Sequence, residues 1–429
     1  MKFKTLVIIL ASLVIAWVSS AAFAAPPQNT QATLTFLNKY PEQQYKAYFD
    51  QAIKDFQAKN PNIKINMESV SDEAIKDKLR VAAGGGDMPD IFFSWSGQFE
   101  KNFVNSGLTK DLTPYVNADK AWKDGFIPAL LKDSTFGNKV YGIPFRSSLE
   151  FMLYNKRLFK ESGVDVPKNW NEFLNVCAKL KQNKVIPILF GNSEPWYGAW
   201  WIGTLNQLMV NTAVREKDYA PETGEFTDPN YVKALDHFLD LQKKDYFNSN
   251  VNSTSYYQVR EQFFAGKGAM ILDATSQFSI YSDNMKDDWG FFRFPQIPEG
   301  NGNQNYITGG TEVYCVSAKT KYPDQAIAFI KFLTSKEQAK KQTKISGLPN
   351  CIVNGLDSSN ASDVLMNAMN AVNSFENVMD WLDTAVNAKV ADKYLANVQD
   401  CFNGKTADQA MKEIQQVAAQ VKASSGGSN

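Results

Sequence analysis

Two short segments combine tryptophan with side chains that form hydrogen bonds. Residues 194–201 contain four aromatic residues beside the carboxylate of Glu194, with Trp196 and Trp200 among them, and Trp95-Ser96 follows a short apolar run. Indole rings offer flat apolar faces, whereas carboxylate, amide and guanidinium groups pair with hydroxyls. This combination suits a sugar, which has an apolar C–H face and many hydroxyls. The alternative interpretation is that these tryptophans pack in a core.

Nucleotide, metal and catalytic chemistry find no support in the motifs. Gly84-Gly85-Gly86 and Gly266-Lys267-Gly268 match neither the dinucleotide nor the phosphate-loop spacing. His237 is the only histidine and the four cysteines are scattered, so a structural zinc site is not expected. His237 also lies in an amphipathic helical pattern, which favours a structural role. We therefore expect no catalytic residues, no metal and no cofactor.

The charge balance limits the kinds of partner. Lys plus Arg total 45 and Asp plus Glu total 45. Removal of Lys2 and Lys4 with a leader would leave 43 against 45, a net charge of about −2. A nearly neutral chain lacks the positive electrostatic field that would attract nucleic acids and anionic membranes. We therefore expect no nucleic-acid partner.

The N-terminus predicts export. Lys2 and Lys4 precede an apolar run from Leu6 to Val18, and an Ala-x-Ala site ends at Ala24. This mostly apolar run of thirteen residues is short against the ~20 that span a bilayer, so residues 1–24 are predicted to be a cleaved signal peptide rather than an anchor. No cysteine follows the cleavage site to carry a lipid. The mature chain is thus expected to diffuse freely in the periplasm.

The four cysteines would enter an oxidising compartment, where three pairings are open. Cys177 falls on an apolar helical face and Cys315 in a strand-like run, which favours buried free thiols. Cys351 and Cys401 are the better candidates for a disulfide. Spacing alone does not choose among the pairings.

Apolar periodicity predicts alternating strands and helices. The first strand covers 33–37, a helix with Tyr45, Phe49, Ile53 and Phe56 on one face follows, and strands at 63–67 and 91–93 flank a helix at 72–83. The same order returns in the second half. It predicts parallel sheets covered by helices. About 400 mature residues exceed one typical domain, so two lobes are expected. Residues 424–429 are rich in Ser and Gly and are predicted to be a disordered tail.

Several motifs occur in the order found in one known family. Tyr141-Gly142-Ile143-Pro144 precedes Leu153-Tyr154-Asn155-Lys156, and the segments 87–91, 264–270 and 326–337 also match. Together they resemble extracellular solute-binding proteins of family 1, the sugar-binding components of ABC importers. The resemblance implies a type II periplasmic-binding-protein-like fold of two α/β lobes with hinge crossovers and a ligand cleft between them. The N-terminal lobe would comprise 25–146 plus 307–350, and the C-terminal lobe 147–306 plus 351–423.

The resemblance also implies where ligand contacts lie. They would come from the loop after the first strand, the end of the third strand, the crossover, the aromatic segment, the strand after Gly-Lys-Gly, the Gly-Gly segment and the C-terminal region. The alternatives are a surface position for the loop, an ion pair for the crossover arginine, a helix cap for the aspartate and a role in the hinge alone for the glycines. The candidates are Asn38, Tyr40, Glu42, Trp95, Ser96, Arg146, Ser148, Glu150, Trp196, Trp200, Asp273, Gly309, Gly310, Glu312 and Trp381.

The function implied is sugar capture by hinge closure and delivery to ABC transporter permease subunits, by a monomer. Several tryptophans favour a di- or oligosaccharide, because each ring can hold one sugar unit. A secreted carbohydrate-active enzyme, a glycosidase or lyase, is the alternative from another class, since sequence spacing does not reveal how far apart carboxylates lie. A chemoreceptor-only sugar sensor is the third hypothesis.

Overall fold

The computed structural model describes residues 31–372 and 374–425. The predicted signal peptide and the last four residues lie outside this part. Within it, the strands are β1 Ala32–Asn38, β2 Ile63–Ser69, β3 Ile91–Trp95, β4 Thr135–Phe136, β5 Lys139–Val140, β6 Gly142–Asn155, β7 Ile186–Leu189, β8 Gly268–Ala274, β9 Trp289–Phe292, β10 Tyr306–Val316 and β11 Asn377–Met379. The α-helices of the same residues are α1 Gln43–Lys59, α2 Asp72–Gly85, α3 Gln98–Asn105, α4 Thr113–Ala118, α5 Lys120–Asp124, α6 Pro128–Asp133, α7 Lys156–Ser162, α8 Trp170–Gln182, α9 Pro195–Met209, α10 Thr212–Tyr219, α11 Pro229–Lys243, α12 Tyr256–Phe264, α13 Phe278–Met285, α14 Pro323–Leu333, α15 Lys336–Ser346, α16 Asp363–Val372, α17 Leu382–Ala385, α18 Ala388–Phe402 and α19 Ala407–Ser425.

The first five elements confirm the predicted strand and helix order. β1 pairs in parallel with both β2 and β3, and α1 and α2 are the connections between them. In α1 the predicted apolar face is buried at Phe49 and Phe56. Parallel strands joined by helices place their carboxyl ends at one edge of the sheet, where open α/β sheets bind ligands.

Two long strands, β6 and β10, connect the two halves of the molecule. The sheet order is β2-β1-β3-β10-β6-β8-β7, with β11 on β10 and β9 on β6. The first part of β6 pairs with β10, and the part from Glu150 to Asn155 pairs with β8 and β9. β6 is buried along almost its whole length, as expected for a strand covered on both faces. These strands are the crossovers of two α/β lobes.

Each lobe has its own core. Phe36, Phe49 and Tyr314 belong to the core of the first lobe. The core of the second lobe is larger and contains Trp201 stacked on Phe238, with centroids 5.5 Å apart. Beyond the predicted boundary at residue 350, two residues pack with the first core, namely Ile352 and Trp381.

Helix ends follow the predicted capping chemistry. The side chain of Asn169 accepts a hydrogen bond from the Glu172 amide at 3.0 Å. Thr406 and Gln409 form reciprocal side-chain-to-amide bonds of 3.2 and 3.1 Å before α19. The predicted disorder from residue 424 is wrong for its first two residues. Ser424 and Ser425 continue α19, and the Ser424 hydroxyl donates to the carbonyl of Val421 at 2.8 Å.

All four cysteines are buried free thiols. Cys177 and Cys315 therefore match the prediction, whereas the candidate disulfide between Cys351 and Cys401 does not form. The reason is their location, because the Cys351 carbonyl accepts from the Ile127 amide in the first lobe at 3.0 Å and Cys401 belongs to the core of the second lobe.

Membrane-spanning helices and metal-ligand clusters are both absent from the described ranges. No helix there has both the length and the apolar character needed to cross a membrane. In the same residues, His, Cys, Asp and Glu side chains form no group of three or more that could hold a metal ion.

Candidate functional site

A cleft of about 870 Å³ lies between the two lobes, with the crossing strands at its base. The first lobe contributes the residues after β1 and the end of β3, and the second lobe contributes the starts of α9 and α12. Of the fifteen predicted contact residues, nine lie in its lining: Tyr40, Glu42, Trp95, Arg146, Ser148, Trp196, Trp200, Glu312 and Trp381.

Arg146 and Glu312 form an ion pair at the base of the cleft. They are partners on the adjacent strands β6 and β10, and the Arg146 guanidinium donates from Nε and Nη2 to the two Glu312 oxygens. The Tyr40 hydroxyl and the Lys39 ammonium, the latter at 3.0 Å, also donate to Glu312. We call these four residues the Arg146–Glu312 network. Arg146 Nη1 takes no part in these hydrogen bonds to Glu312.

The electrostatics of this network follow from burial and charge. Glu312 is only 1 % exposed. Burial raises the pKa of its carboxyl, but Arg146 and Lys39 outweigh burial and lower the pKa to about 2. Glu312 is therefore ionised and fully engaged with its donors. Its role in the cleft is to hold Arg146, so the predicted ion-pair alternative for Arg146 is confirmed.

Three tryptophans and a tyrosine form a continuous aromatic wall. Trp200 stacks on Trp381 with centroids 5.9 Å apart and an interplanar angle of 15°. Trp196 contacts Trp200 at 5.2 Å and Tyr256 at 5.0 Å. Trp196 and Trp200 lie at the start of α9, which begins at Pro195, and residues four apart on a helix share a face. We call Trp196, Trp200, Tyr256 and Trp381 the aromatic wall.

Trp95 ends β3 and packs more deeply than the wall. It is 5 % exposed and meets Phe93 and Phe99 edge-on at 4.8 and 5.3 Å. The ammonium groups of Lys39 and Lys76 lie over its ring at 5.2 and 5.4 Å. Trp95 borders the cleft, but much of its surface serves the core of the first lobe.

Lys76 connects the two sides of the cleft through ion pairs. Its ammonium lies 3.1 Å from Asp383 on α17 and 3.2 Å from Glu73 on its own helix. Burial disfavours the charge, but Asp383 and Glu73 outweigh burial and raise the pKa of Lys76 to about 12. Lys76 is therefore charged, and its charge is balanced by the carboxylates of Asp383 and Glu73.

α12 supplies cleft residues that the sequence reasoning missed. Tyr256, Tyr257 and Arg260 line the cleft, and the Arg260 guanidinium lies over both tyrosine rings at 5.3 and 5.6 Å. Arg260 also donates to Gln277 at 2.8 Å. No helix was predicted for this segment, and the Tyr-Tyr-x-x-Arg spacing alone does not show which face of it points into the cleft. Further lining residues that were not predicted are Lys39, Tyr45, Asp72, Lys76, Ser276, Gln277, Ile280, Asp383 and Thr384.

Asp273 lies behind this face, outside the lining of the cleft. Its carboxylate accepts from the Tyr256 hydroxyl at 3.0 Å and the Tyr281 hydroxyl at 2.6 Å. Burial raises the pKa of Asp273 to about 6, although Tyr281 and Arg260 act in the opposite direction. Asp273 thus orients a wall residue, in place of the ligand contact or helix cap that the sequence suggested.

Three more predicted contacts are buried away from the cleft. Asn38 accepts from the Tyr314 hydroxyl at 3.0 Å, and Ser96 donates to Asp380 at 3.0 Å. Glu150 lies in a separate cavity of about 340 Å³, where the Thr204 hydroxyl donates to it at 3.0 Å. Burial raises the pKa of Glu150 well above its ordinary value. Arg146, Ser148 and Glu150 share one face of β6 because side chains alternate with a period of two. Glu150 nevertheless lies beyond the cleft, because the strand has entered the second lobe there and pairs with β8.

Gly309 and Gly310 also lie outside the lining, in β10. A Cβ at Gly309 would lie 2.3 Å from the Ser148 carbonyl oxygen, and one at Gly310 would lie 2.6 Å from the Trp381 ring. Glycine is needed here because backbone and ring approach so closely. Gly310 therefore makes room for the aromatic wall.

Comparisons with known proteins agree with this geometry. The family model described as bacterial extracellular solute-binding protein matches residues 40–340. The chain is 26% identical over 343 residues to the multiple sugar-binding protein of Streptococcus mutans serotype c, covering 76% of each chain. It is 24% identical over 302 residues to the maltotriose-binding protein of Pyrococcus abyssi, covering 68% of this chain and 61% of that one.

Solved structures share the architecture. A chitin oligosaccharide binding protein superposes with a TM-score of 0.84 at 25% identity, covering 91% of this chain and 99% of the other. A solute-binding protein in complex with raffinose has a TM-score of 0.73 at 19% identity, covering 91% and 99%. A family match over residues 40–340, joined to two lobes that enclose a cleft, identifies this chain as a member of the bacterial extracellular solute-binding protein family.

Proposed function

We propose that this protein captures a di- or oligosaccharide in the cleft and delivers it to the permease of an ABC importer. The observation that carries the proposal is the aromatic wall, placed opposite polar side chains of the first lobe. Aromatic faces pack against the C–H face of a sugar ring, and the polar groups pair with its hydroxyls.

The charges of the cleft favour a neutral ligand. Arg146 is paired with Glu312, Lys76 with Asp383, and Lys39 with Asp72 at 2.7 Å as well as with Glu312. Cations already engaged with carboxylates attract an anion less than free cations do. Arg146 Nη1, which takes no part in the bonds to Glu312, would donate to a hydroxyl.

The size of the ligand follows from the wall and from the relatives. Trp196, Trp200 and Trp381 extend over more than one ring, which supports a ligand of at least two sugar units. The relatives named above include a multiple sugar-binding protein, a maltotriose-binding protein and a chitin oligosaccharide binding protein. All four proteins named above are named for a sugar or were solved with one, and for three of them that sugar has more than one unit.

Delivery would depend on closure about β6 and β10. The proposed lobes are 25–146 plus 307–350 and 147–306 plus 351–423, with Ile352 and Trp381 as additions to the first core. Ser148 on β6 donates to Ser276 of the second lobe at 2.9 Å at the cleft base. A ligand that touches both lobes favours the closed form through its differential contacts. The closed lobes would present the permease with a surface that the empty protein lacks.

We further propose that the protein is not an enzyme. A glycosidase needs two carboxyl groups placed across the scissile bond, one of them protonated. Four carboxylates line the cleft; three of them, Glu312, Asp72 and Asp383, are each paired with a cation, and the fourth is Glu42. The curated relatives named above are binding proteins, which supports the same conclusion. A sensor-only role would use the same cleft and differ in the partner.

Titration calorimetry with a panel of mono-, di- and oligosaccharides tests the proposal. We expect a Kd near the micromolar scale, which corresponds to ~−8 kcal/mol. Chromatography of the mixture afterwards should recover the sugar unchanged, and a converted sugar would reassign the protein to the enzymes. Binding of no saccharide at all would remove the proposal. Uptake of the bound sugar by cells with and without the gene separates transport from sensing.

Localisation and assembly belong to the same proposal. The mature protein would be a periplasmic monomer that begins at Ala25 after cleavage of residues 1–24. N-terminal sequencing of the exported protein should give Ala25 as the first residue. Light scattering should give the mass of one chain with and without ligand, and a stable dimer would contradict the monomer.

A further inference from the structure

A second cavity of about 840 Å³ lies next to the cleft, also between the lobes. Arg80 on α2 and Phe99 and Asn102 on α3 line its first-lobe side. Ala391 and Leu395 on α18 line the opposite side. A cavity that both lobes build would be narrowed by the same closure that encloses the ligand in the cleft.

The two cavities adjoin each other at three residues. Trp196, Lys76 and Asp383 line both of them. Trp196 belongs to the aromatic wall and is only half-buried, so its ring borders both spaces. The Lys76–Asp383 ion pair, at 3.1 Å, marks the boundary on the other side. A ligand that lies along the wall can therefore continue past Trp196 into the second cavity.

The chemistry of the second cavity resembles that of the cleft. Phe99, Ala391 and Leu395 provide an apolar surface, and Ala391 is small enough to leave room for a ring. Asn102 and the exposed Asp392 provide groups that pair with hydroxyls. The lining holds two cations and three carboxylates. This balance does not favour a polyanion such as a nucleic acid or a polyphosphate.

We propose that the second cavity binds further units of the same sugar chain, so that the ligand is an oligosaccharide longer than a disaccharide that extends past Trp196 along α18. This inference rests on the proposed function, and it adds the length of the ligand and the direction in which the ligand extends.

A chain-length series tests the inference. The mature protein is titrated with a homologous series from mono- to hexasaccharide of the linkage that binds in the panel above. We expect the Kd to fall by about tenfold between the disaccharide and the longer members, which corresponds to ~1.4 kcal/mol. A Kd that stays constant beyond the disaccharide would overturn the inference while leaving sugar binding intact. Binding of no member of the series would instead remove the proposed function.

Substitutions in the second cavity separate it from the cleft. Ala396 is exposed and lines this cavity, so Ala396→Trp fills space without disturbing a core. We expect Ala396→Trp to cancel the tenfold gain for longer chains and to leave disaccharide affinity unchanged. Ala58→Trp is the matched control, because Ala58 is exposed on α1 and lines neither cavity.

Asp392→Ala provides an independent reading by removing a polar group instead of blocking space. We expect it to weaken binding of the longer chains by about three- to tenfold, the range for one lost hydrogen bond. If both Ala396→Trp and Asp392→Ala left the whole series as in the wild type, the chain would not run through this cavity. An equal loss for the disaccharide would likewise contradict it.

Discussion

Replacing Glu312 with glutamine tests whether the Arg146–Glu312 network holds the crossing strands β6 and β10 together. The substitution keeps the shape of the side chain and removes its charge. Glu312 is fully buried and receives hydrogen bonds from Arg146, Tyr40 and Lys39. Removing one member of a buried ion pair costs ~3 to 5 kcal/mol, since the remaining charge loses its partner.

The pKa of Glu312 gives a second route to the magnitude. Burial raises this pKa, but Arg146 and Lys39 lower it from 4.5 to about 2. At ~1.36 kcal/mol for each pKa unit, this difference corresponds to ~3 kcal/mol at neutral pH. The folded-state pKa is the lower one, so this stabilisation is complete above about pH 4.5 and is lost as the pH falls toward 2. About 1 kcal/mol of it remains at pH 3, a loss of ~2 kcal/mol.

Urea unfolding followed by tryptophan fluorescence measures this effect. We expect Glu312→Gln to lower the free energy of unfolding by ~3 kcal/mol at pH 6 but by only ~1 kcal/mol at pH 3. Glu337→Gln is the control, because Glu337 is exposed and pairs with Lys341 at 2.8 Å on the surface, where ion pairs contribute little. A Glu312→Gln effect that is equal at both pH values would refute the reasoning.

Three further predictions concern the cleft and the crossovers. Trp196→Ala should weaken sugar binding by about tenfold or more with little change in melting temperature. Trp95→Ala should also destabilise the apo protein by ~3 to 5 kcal/mol, because its ring packs in the core. Calorimetry measures the loss of binding and urea unfolding measures the loss of stability. Glu150→Gln should raise the melting temperature at pH 8 and leave the melting temperature at pH 4 unchanged. Burial raises the Glu150 pKa, so the wild-type protein loses stability as the pH rises above the unfolded-state pKa, whereas the neutral glutamine does not. A lower melting temperature of the variant at pH 8 would contradict this. Small-angle scattering should show a smaller radius of gyration with saturating sugar, and an unchanged radius from ligand-free protein would argue against hinge closure.

Much of the fold could be predicted from the sequence because local patterns agree with it. The period-two alternation in β2 and the one-sided apolar face of α1 specify their elements independently of distant residues. Capping residues such as Asn169 and Thr406 act over three or four positions, so they are visible in the chain. The tail was the exception, because Ser424 and Ser425 extend α19 despite their low helix preference.

The site was predicted less completely because it depends on distances between segments far apart in the chain. The sequence marked the three tryptophans of the aromatic wall, yet only packing decides that Trp200 stacks on Trp381 while Trp95 turns toward its core. Asn38 and Asp273 had the correct types and were placed behind the cleft, where they orient Tyr314 and Tyr256. α12 was missed because nothing in its local pattern shows which side faces the opposite lobe.

The sequence by itself determined the alternating order of strands and helices, the family resemblance and the kinds of side chain available to a sugar, since each of these depends on residues that are close together in the chain. The tertiary structure alone decided which of those side chains share one cleft. Arg146 and Glu312 are 166 positions apart, and they meet because β6 and β10 pair across the hinge. Burial then sets their charge state, because only the folded chain removes water from both groups while bringing them into contact.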